Sequence, residues 1–297
     1  MRPAPLPSLA GIRALARAAL REDLGDRGDV TSLATIPASS RSRARIIARR
    51  AGVFCGYLTT HEVFRQAGRG IRITHHVRNG QAIRPGQAVM TITGPTRAIL
   101  AGERVALNFL KRFSGIATLT SLHVAAARRA NPRHPPVILD TRKTTPGLRA
   151  LEKYAVRCGG GQNHRTGLYD MVLIKDNHLA ALAPHTRDPV GEAIRRARRR
   201  WPRLKIEVEC DTLAQVRQAV ATHPDYILLD NMPPATLRRA VKVVGGRAKT
   251  EASGGITLKA IPAIARTGVD FISVGSLTHS PVALDFSLEV VPLPAKK

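Results

Sequence analysis

Cysteine is scarce in this chain and cannot pair off. Cys55, Cys158 and Cys210 are odd in number and stand in no CxxC spacing. That excludes a disulfide framework and a zinc site, and points to reduced thiols in a cytoplasm. Aromatic residues make up only 4% of the chain, too few for an obvious base-stacking platform. No apolar run approaches the roughly 20 residues needed to span a bilayer, so no membrane is expected. Pro3, Pro5 and Pro7, followed by an arginine-punctuated helical pattern, leave no signal-peptide core at the start. Acidic residues are the last shortage, 21 against 47 basic ones, for a net charge of +26. The excess fits nucleic-acid binding, a small and highly anionic substrate, or a compositional bias towards arginine. Only Arg195-Arg196-Ala197-Arg198-Arg199-Arg200 forms a dense block. Charge alone does not choose.

What is present suits a globular enzyme. A chain of 297 residues, 43% of them apolar, holds one α/β barrel, or a barrel with a smaller domain. Residues 9–24 carry apolar side chains at helical spacing. Residues 28–32 read as a loop and 43–54 as a strand. The pattern over 60–67 predicts a short helix capped by Thr59 or Thr60. Strands are expected over 71–77 and 88–93, separated by the turn-rich Asn79-Gly80 and Arg84-Pro85-Gly86. Helices over 96–112 and 116–130, broken at Ser114-Gly115, lead on to the rest. Residues 1–130 lack a regular βα period, so they read as a separate, sandwich-like α+β domain.

From residue 137 the rhythm changes. Short apolar strands recur over 137–140, 171–174, 206–208, 226–229, 249–252 and 271–274. Helical patterns lie over 190–200, 212–222, 234–243 and 258–267. Residues 131–297 therefore read as a parallel α/β barrel, incomplete or closed, with a doubly wound sheet still open. The C-terminal tail is expected to return to the N-terminal domain.

The strand ends carry the chemistry. Thr141-Arg142-Lys143 follows the first strand, ahead of Pro146 at a possible helix start. Lys175 follows the second, Glu209 ends the third, and Asp230 the fourth. Ser253-Gly254-Gly255 and Val274-Gly275-Ser276 follow the last two as glycine turns entering helices. In barrels and open α/β sheets this end of the strands is where ligands bind. Arg142 and Lys143 taken alone are equally well two solvated loop charges. With His164, Arg165 and Lys175 they make a set of cations suited to an anion. Glycine turns can offer backbone N–H groups to a phosphate. Glu209 and Asp230 could hold Mg²⁺, contact ribose hydroxyls, or pair with arginines. His75, His76 and His178 have no partners at metal-ligand spacing. Ser114, Ser253 and Cys158 have no readable base partner.

Read together, these motifs resemble the quinolinate phosphoribosyltransferase family. The resemblance runs through Glu22-Asp23-Leu24-Gly25, Glu103-Arg104-Val105-Ala106-Leu107-Asn108 and Ser114-Gly115-Ile116-Ala117-Thr118. It continues through Asp140-Thr141-Arg142-Lys143-Thr144-Thr145-Pro146-Gly147, Gly159-Gly160-Gly161-Gln162-Asn163-His164-Arg165 and Leu173-Ile174-Lys175-Asp176-Asn177-His178. Glu207-Val208-Glu209, Leu229-Asp230-Asn231, Glu251-Ala252-Ser253-Gly254-Gly255 and Val274-Gly275-Ser276 complete it.

The resemblance implies transfer from phosphoribosyl pyrophosphate to quinolinate with decarboxylation, using Mg²⁺ and no organic cofactor. It implies a homodimer or hexamer, with Arg104 entering the site from a neighbouring subunit. Arg104, Arg142, His164 and Arg165 would surround quinolinate, with Thr141 a further substrate-binding residue. Lys143 and Lys175 would face quinolinate and the phosphoribosyl donor, with Lys143 towards the reacting ribose. Glu209 and Asp230 would hold ribose hydroxyls and metal. Ser253, Gly254, Gly255, Val274, Gly275 and Ser276 would hold the 5′-phosphate. Two rivals stand beside it: a same-fold paralogue with another substrate, and a basic nucleic-acid-binding protein. The intact central motifs speak against the first, and the scattered cations against the second.

Overall fold

In a computed structural model that describes residues 7–294, tertiary contacts divide the chain into two compact units. Among the described residues, one holds 7–119, Ala150–Gly160 and 281–294. The other holds Thr120–Arg149 and Gly161–Ser280. Pro3 and Pro5 lie outside the described residues. No described helix is long and apolar enough to cross a membrane.

The first unit is built on an antiparallel sheet. Its strands are β1 (Arg41–Ala48), β2 (Gly52–Val53), β3 (Arg72–His75), β4 (Ala82–Ile83) and β5 (Ala88–Pro95). In β1, Arg41, Arg43 and Arg45 alternate with buried Ser42, Ala44 and Ile46, the period of two that puts one face on a core. β1 pairs with β5 and β5 with β3, while β2 and β4 form a separate ladder. Helix Leu9–Leu24 starts where the Ser8 hydroxyl accepts from Gly11 N, and it buries Ile12, Ala16 and Leu20 on one stripe. Phe54, Phe64, Met90, Ile92 and Leu110 are among the side chains that fill the core.

Four local expectations are corrected here. Residues 28–32 are not all loop, because Asp29 caps a helix over Val30–Thr35 by accepting from Ser32 N at 3.0 Å. The strand expected over 43–54 is interrupted, and its second part pairs with β4. The short helix begins at Tyr57, behind Gly56 and with no side-chain cap. Helix Thr96–Ala130 runs 35 residues without a break. Ser114 accepts from Cys55 N at 3.0 Å and donates to Cys55 O at 2.9 Å. A Cβ on Gly115 would meet Val282 O at 2.3 Å. Those two residues are contact points, not helix breakers.

The second unit is a single parallel sheet: β6 (Val137–Leu139), β7 (Val172–Ile174), β8 (Ile206–Cys210), β9 (Tyr226–Asp230), β10 (Lys249–Ser253) and β11 (Phe271–Ser273). The order is β6-β11-β10-β9-β8-β7. Chain order round the sheet, with β6 and β7 unpaired to one another, gives an incomplete α/β barrel rather than a doubly wound sheet. Between strands lie helices Pro189–Arg200, Leu213–Ala221 and Pro234–Val244. Pro146 does not open a helix; Leu148 N bonds Thr145 O in a turn, and the helix begins at Arg149. Nor does Ser253-Gly254-Gly255 run straight into one, since the next helix is the five-residue Ile261–Ala265. The last strand, β12 (Phe286–Pro292), belongs to the first unit and pairs antiparallel with β1 from Ser42↔Pro292 to Ala48↔Phe286.

Candidate active site at the barrel strand ends

Strand β8, Ile-Glu-Val-Glu-Cys, is buried at all five positions. A parallel strand covered on both faces should be apolar throughout, so two glutamates there mark a polar interior. Glu207 and Glu209 stand two residues apart and so share a face. Glu207 is fully buried, as is Glu251 on β10. Burial raises Glu207 to about 7. Glu251 is raised further, to about 8, by burial and then by the facing charge of Glu207. Burial and mutual repulsion thus leave the pair holding a proton well above the ordinary carboxylate range. His164 Nε2 lies 2.9 Å from Glu207 and 3.5 Å from Glu251, but the contact is one of distance, because no oxygen of either carboxyl has a hydrogen bond of good geometry. The ligand atoms of His164, Glu207 and Glu251 all fall within 4.8 Å of one another, which makes them a candidate metal group.

Near this cluster stands a pair of guanidiniums. Arg165 is 9% exposed and donates from Nη1 to Met171 O at 3.3 Å. Its pKa is lowered by burial and by the positive charge of Arg142. The Nε of Arg142 is itself buried without a hydrogen-bond partner. Two like charges held together, one with an orphaned donor, form an arrangement that an anion completes.

A second group gathers at the ends of β7, β8 and β9. Lys175 Nζ donates to Glu209 Oε2 at 2.6 Å. Asp230 is raised by burial and then by the charge of Glu209. Its neighbour Asn231 has φ +52° and packs on Gly254, where a Cβ would meet Asn231 Oδ1 at 2.2 Å. Only glycine fits there, and its φ of +93° demands glycine as well.

A third group joins the loops after β6 and β11. Thr141 Oγ1 accepts from Lys143 N at 3.1 Å, and Thr278 Oγ1 donates to Lys143 O at 2.8 Å. The Lys143 side chain runs past Gly275, where a Cβ would sit 3.3 Å from its Cδ. Val274 N is tied to Leu139 O at 2.9 Å, and Ser276 opens the four-residue helix that follows. Ser253 closes β10 and Gly255 has φ +56°. Arg104 is exposed on helix Thr96–Ala130, in the first unit. Glu207, Glu251, Asp140 and Asn163 were given no role by sequence reasoning. The two glutamates inside an otherwise apolar strand pattern were the signal available for them.

The family model for the quinolinate phosphoribosyl transferase N-terminal domain matches residues 29–114, and that for its C-terminal domain matches 116–289. The chain belongs to the quinolinate phosphoribosyltransferase family. A probable nicotinate-nucleotide pyrophosphorylase [carboxylating] from Bacillus subtilis is 45% identical over 270 residues, 91% of this chain and 90% of that one. The Mycobacterium leprae nicotinate-nucleotide pyrophosphorylase [carboxylating] is 43% identical over 92% of this chain and 95% of its own. Among solved structures, the Francisella tularensis nicotinate-nucleotide pyrophosphorylase superposes with a TM-score of 0.89 at 36% identity, covering 98% of this chain and 99% of that one. For a phosphoribosyltransferase of this family, the three groups at the barrel mouth are the ones to assign.

Proposed function

We propose that the barrel site transfers the phosphoribosyl group of phosphoribosyl pyrophosphate to quinolinate, releasing pyrophosphate and carbon dioxide and leaving nicotinate mononucleotide. The observation that carries the reading is the Arg142–Arg165 pair, in which a buried guanidinium stands beside a half-buried one with an orphaned N–H, in a chain of this family. Quinolinate has two adjacent carboxylates, and each charge-assisted contact to one is worth roughly 1.5–3 kcal/mol.

The roles divide by chemistry. Arg142, Arg165 and Thr141 hold the dicarboxylate, with the ring of His164 beneath. Arg104 is supplied by a second copy in a homodimer or larger assembly; its exposure on a helix of the other unit supports that role. Lys143 and Lys175 face the donor and favour departure of pyrophosphate by meeting the charge that grows on it. Glu209 and Asp230 accept ribose hydroxyls and stabilise positive charge at C1. Ser253, Gly254, Gly255, Val274, Gly275 and Ser276 hold the 5′-phosphate. Glu209 and Asp230 also fit Mg²⁺, since both are oxygen donors and the raised Asp230 feels unbalanced negative charge. When bound there the ion would help to neutralise pyrophosphate as it leaves. Three free thiols support residence in a reducing cytoplasm.

As the pyridine nitrogen bonds to C1, the C1–oxygen bond to pyrophosphate breaks. The resulting pyridinium draws the electron pair of the C2–carboxylate bond into C2, carbon dioxide leaves, and a proton takes its place. The substrate is its own electron sink, so no organic cofactor is needed. Pyrophosphate release should occur with quinolinate, matched mole for mole by carbon dioxide, and not with nicotinate. Equal release with nicotinate, or none with either, would overturn the proposal.

A further inference from the structure

The sheet leaves β6 and β7 as its two edges, and the chain between them does more than connect. Gln162 forms an isolated parallel bridge with Leu139. Its N–H donates to Ile138 O at 2.9 Å, and its carbonyl accepts from Asp140 N at 3.2 Å. For one residue, then, this stretch takes the place of a further strand beside β6. Beyond Gln162 the backbone leaves the ladder and a side chain takes over. Asp140 Oδ2 accepts from Asn163 Nδ2 at 2.6 Å, and Oδ1 accepts from His164 N at 2.9 Å. Asp140 is 0% exposed, Asn163 2% and His164 6%. From there His164 Nδ1 accepts from Arg165 N at 2.7 Å, and Arg165 reaches the residue ahead of β7. The barrel seam is closed by the same four residues that carry the guanidinium and the imidazole.

A carboxylate has an acceptor on each oxygen, whereas an amide of the same shape has one acceptor and one donor. Asp140 uses both oxygens, on two donors one residue apart. We infer that Asp140 is a positioning residue for quinolinate: by fixing Asn163 and the His164 backbone it sets where Arg165 and His164 stand. The inference rests on the proposed function above and adds a residue that touches no substrate. It acts on the quinolinate half of the site, because the Lys175, Glu209 and Asp230 group hangs from other strands.

The test is a swap. In Asp140→Asn one of the two donors loses its acceptor and faces an N–H instead. In Asp140→Asn with Asn163→Asp, the amide placed at 140 keeps its oxygen for His164 N and turns its NH₂ on the carboxylate placed at 163. Both hydrogen bonds are then restored with the direction of one reversed. Asp140→Asn should raise KM for quinolinate about tenfold or more, as loss of a hydrogen bond to a charged group does, with KM for phosphoribosyl pyrophosphate moving less than about twofold. The swap should recover most of that loss. Asn163→Ala, which removes one donor and leaves the carboxylate in place, is the milder variant should Asp140→Asn fail to fold, and should move the same KM in the same direction.

A folded variant in which both KM values move together would overturn the inference. So would a swap no better than the single change, or a melting temperature that falls while both KM values stay put. Wild-type protein that releases no pyrophosphate with quinolinate would instead defeat the functional reading, and so tell the two failures apart.

Discussion

In the unit built on the antiparallel sheet, buried carboxylates lie against cations, whereas at the barrel's candidate site some of the charges face their own kind. Glu62 accepts from Arg65 Nε at 2.8 Å and Nη2 at 2.6 Å, and the pairing pulls it down to about 2. Glu152, fully buried, takes two N–H groups of Arg112 on Oε1, at 2.6 and 3.0 Å. Glu207 and Glu251 instead face each other and rise, and Arg142 sits beside Arg165 with a donor unfilled. The same residue types thus serve opposite ends. Charges matched within the protein hold it together; charges left unmatched wait for a ligand, and unmatched groups of this kind collect at functional sites.

The largest effects should come where the barrel's cations meet substrate. Lys175→Met should lower kcat by about 10²–10³-fold, as removal of one electrostatic stabiliser does, with the melting temperature nearly unchanged. Pyrophosphate release on the purified variant checks it, and near-normal turnover would remove Lys175 from the mechanism. Arg112→Met should do the reverse. It leaves Glu152 buried without that cation and should cost about 3 kcal/mol of stability, read from urea denaturation.

Much of this contrast was legible beforehand. The six barrel strands could be placed to within a residue or two at most ends, because runs such as Ile138-Leu139 and Ile227-Leu228-Leu229 are apolar, branched and cut off by polar residues. The cations at the strand ends could be located too, since Arg142 and Lys175 follow those runs directly. What stayed hidden depended on contacts distant in sequence. Ser114-Gly115 carries the mark of a helix break, and only the approach of Cys55 and Val282 shows it to be a packing point. Glu207 and Glu251 have no sequence mark that says they face one another across the barrel. Asp140 read as the last residue of a strand rather than as the anchor of a loop 23 residues on.

Smaller effects sharpen the comparison. Gly254→Ala puts a Cβ into Asn231 at a φ that side chains rarely adopt and should cost about 2 kcal/mol, with activity falling as Asp230 shifts. Glu251 gives the pH dependence. Its ordinary pKa is 4.5 and its folded value about 8, so within that window the folded protein keeps a proton that the unfolded chain has released. The unfolded state binds fewer protons there, and stability must fall as pH rises. Glu251→Gln should flatten that fall by a few kcal/mol, on the order of 3, between about pH 5 and pH 8. An unchanged slope in equilibrium urea curves would mean that Glu251 is ionised in the fold.

Arg142→Met tests the central claim most directly, with unfolding followed in urea with and without quinolinate. If Arg142 is held unmatched for a ligand, the variant should unfold at the same urea concentration as wild type or a higher one, and quinolinate should no longer raise it. A midpoint that drops as it does for Arg112→Met, with the response to quinolinate intact, would contradict the account: Arg142 would then be one more structural charge.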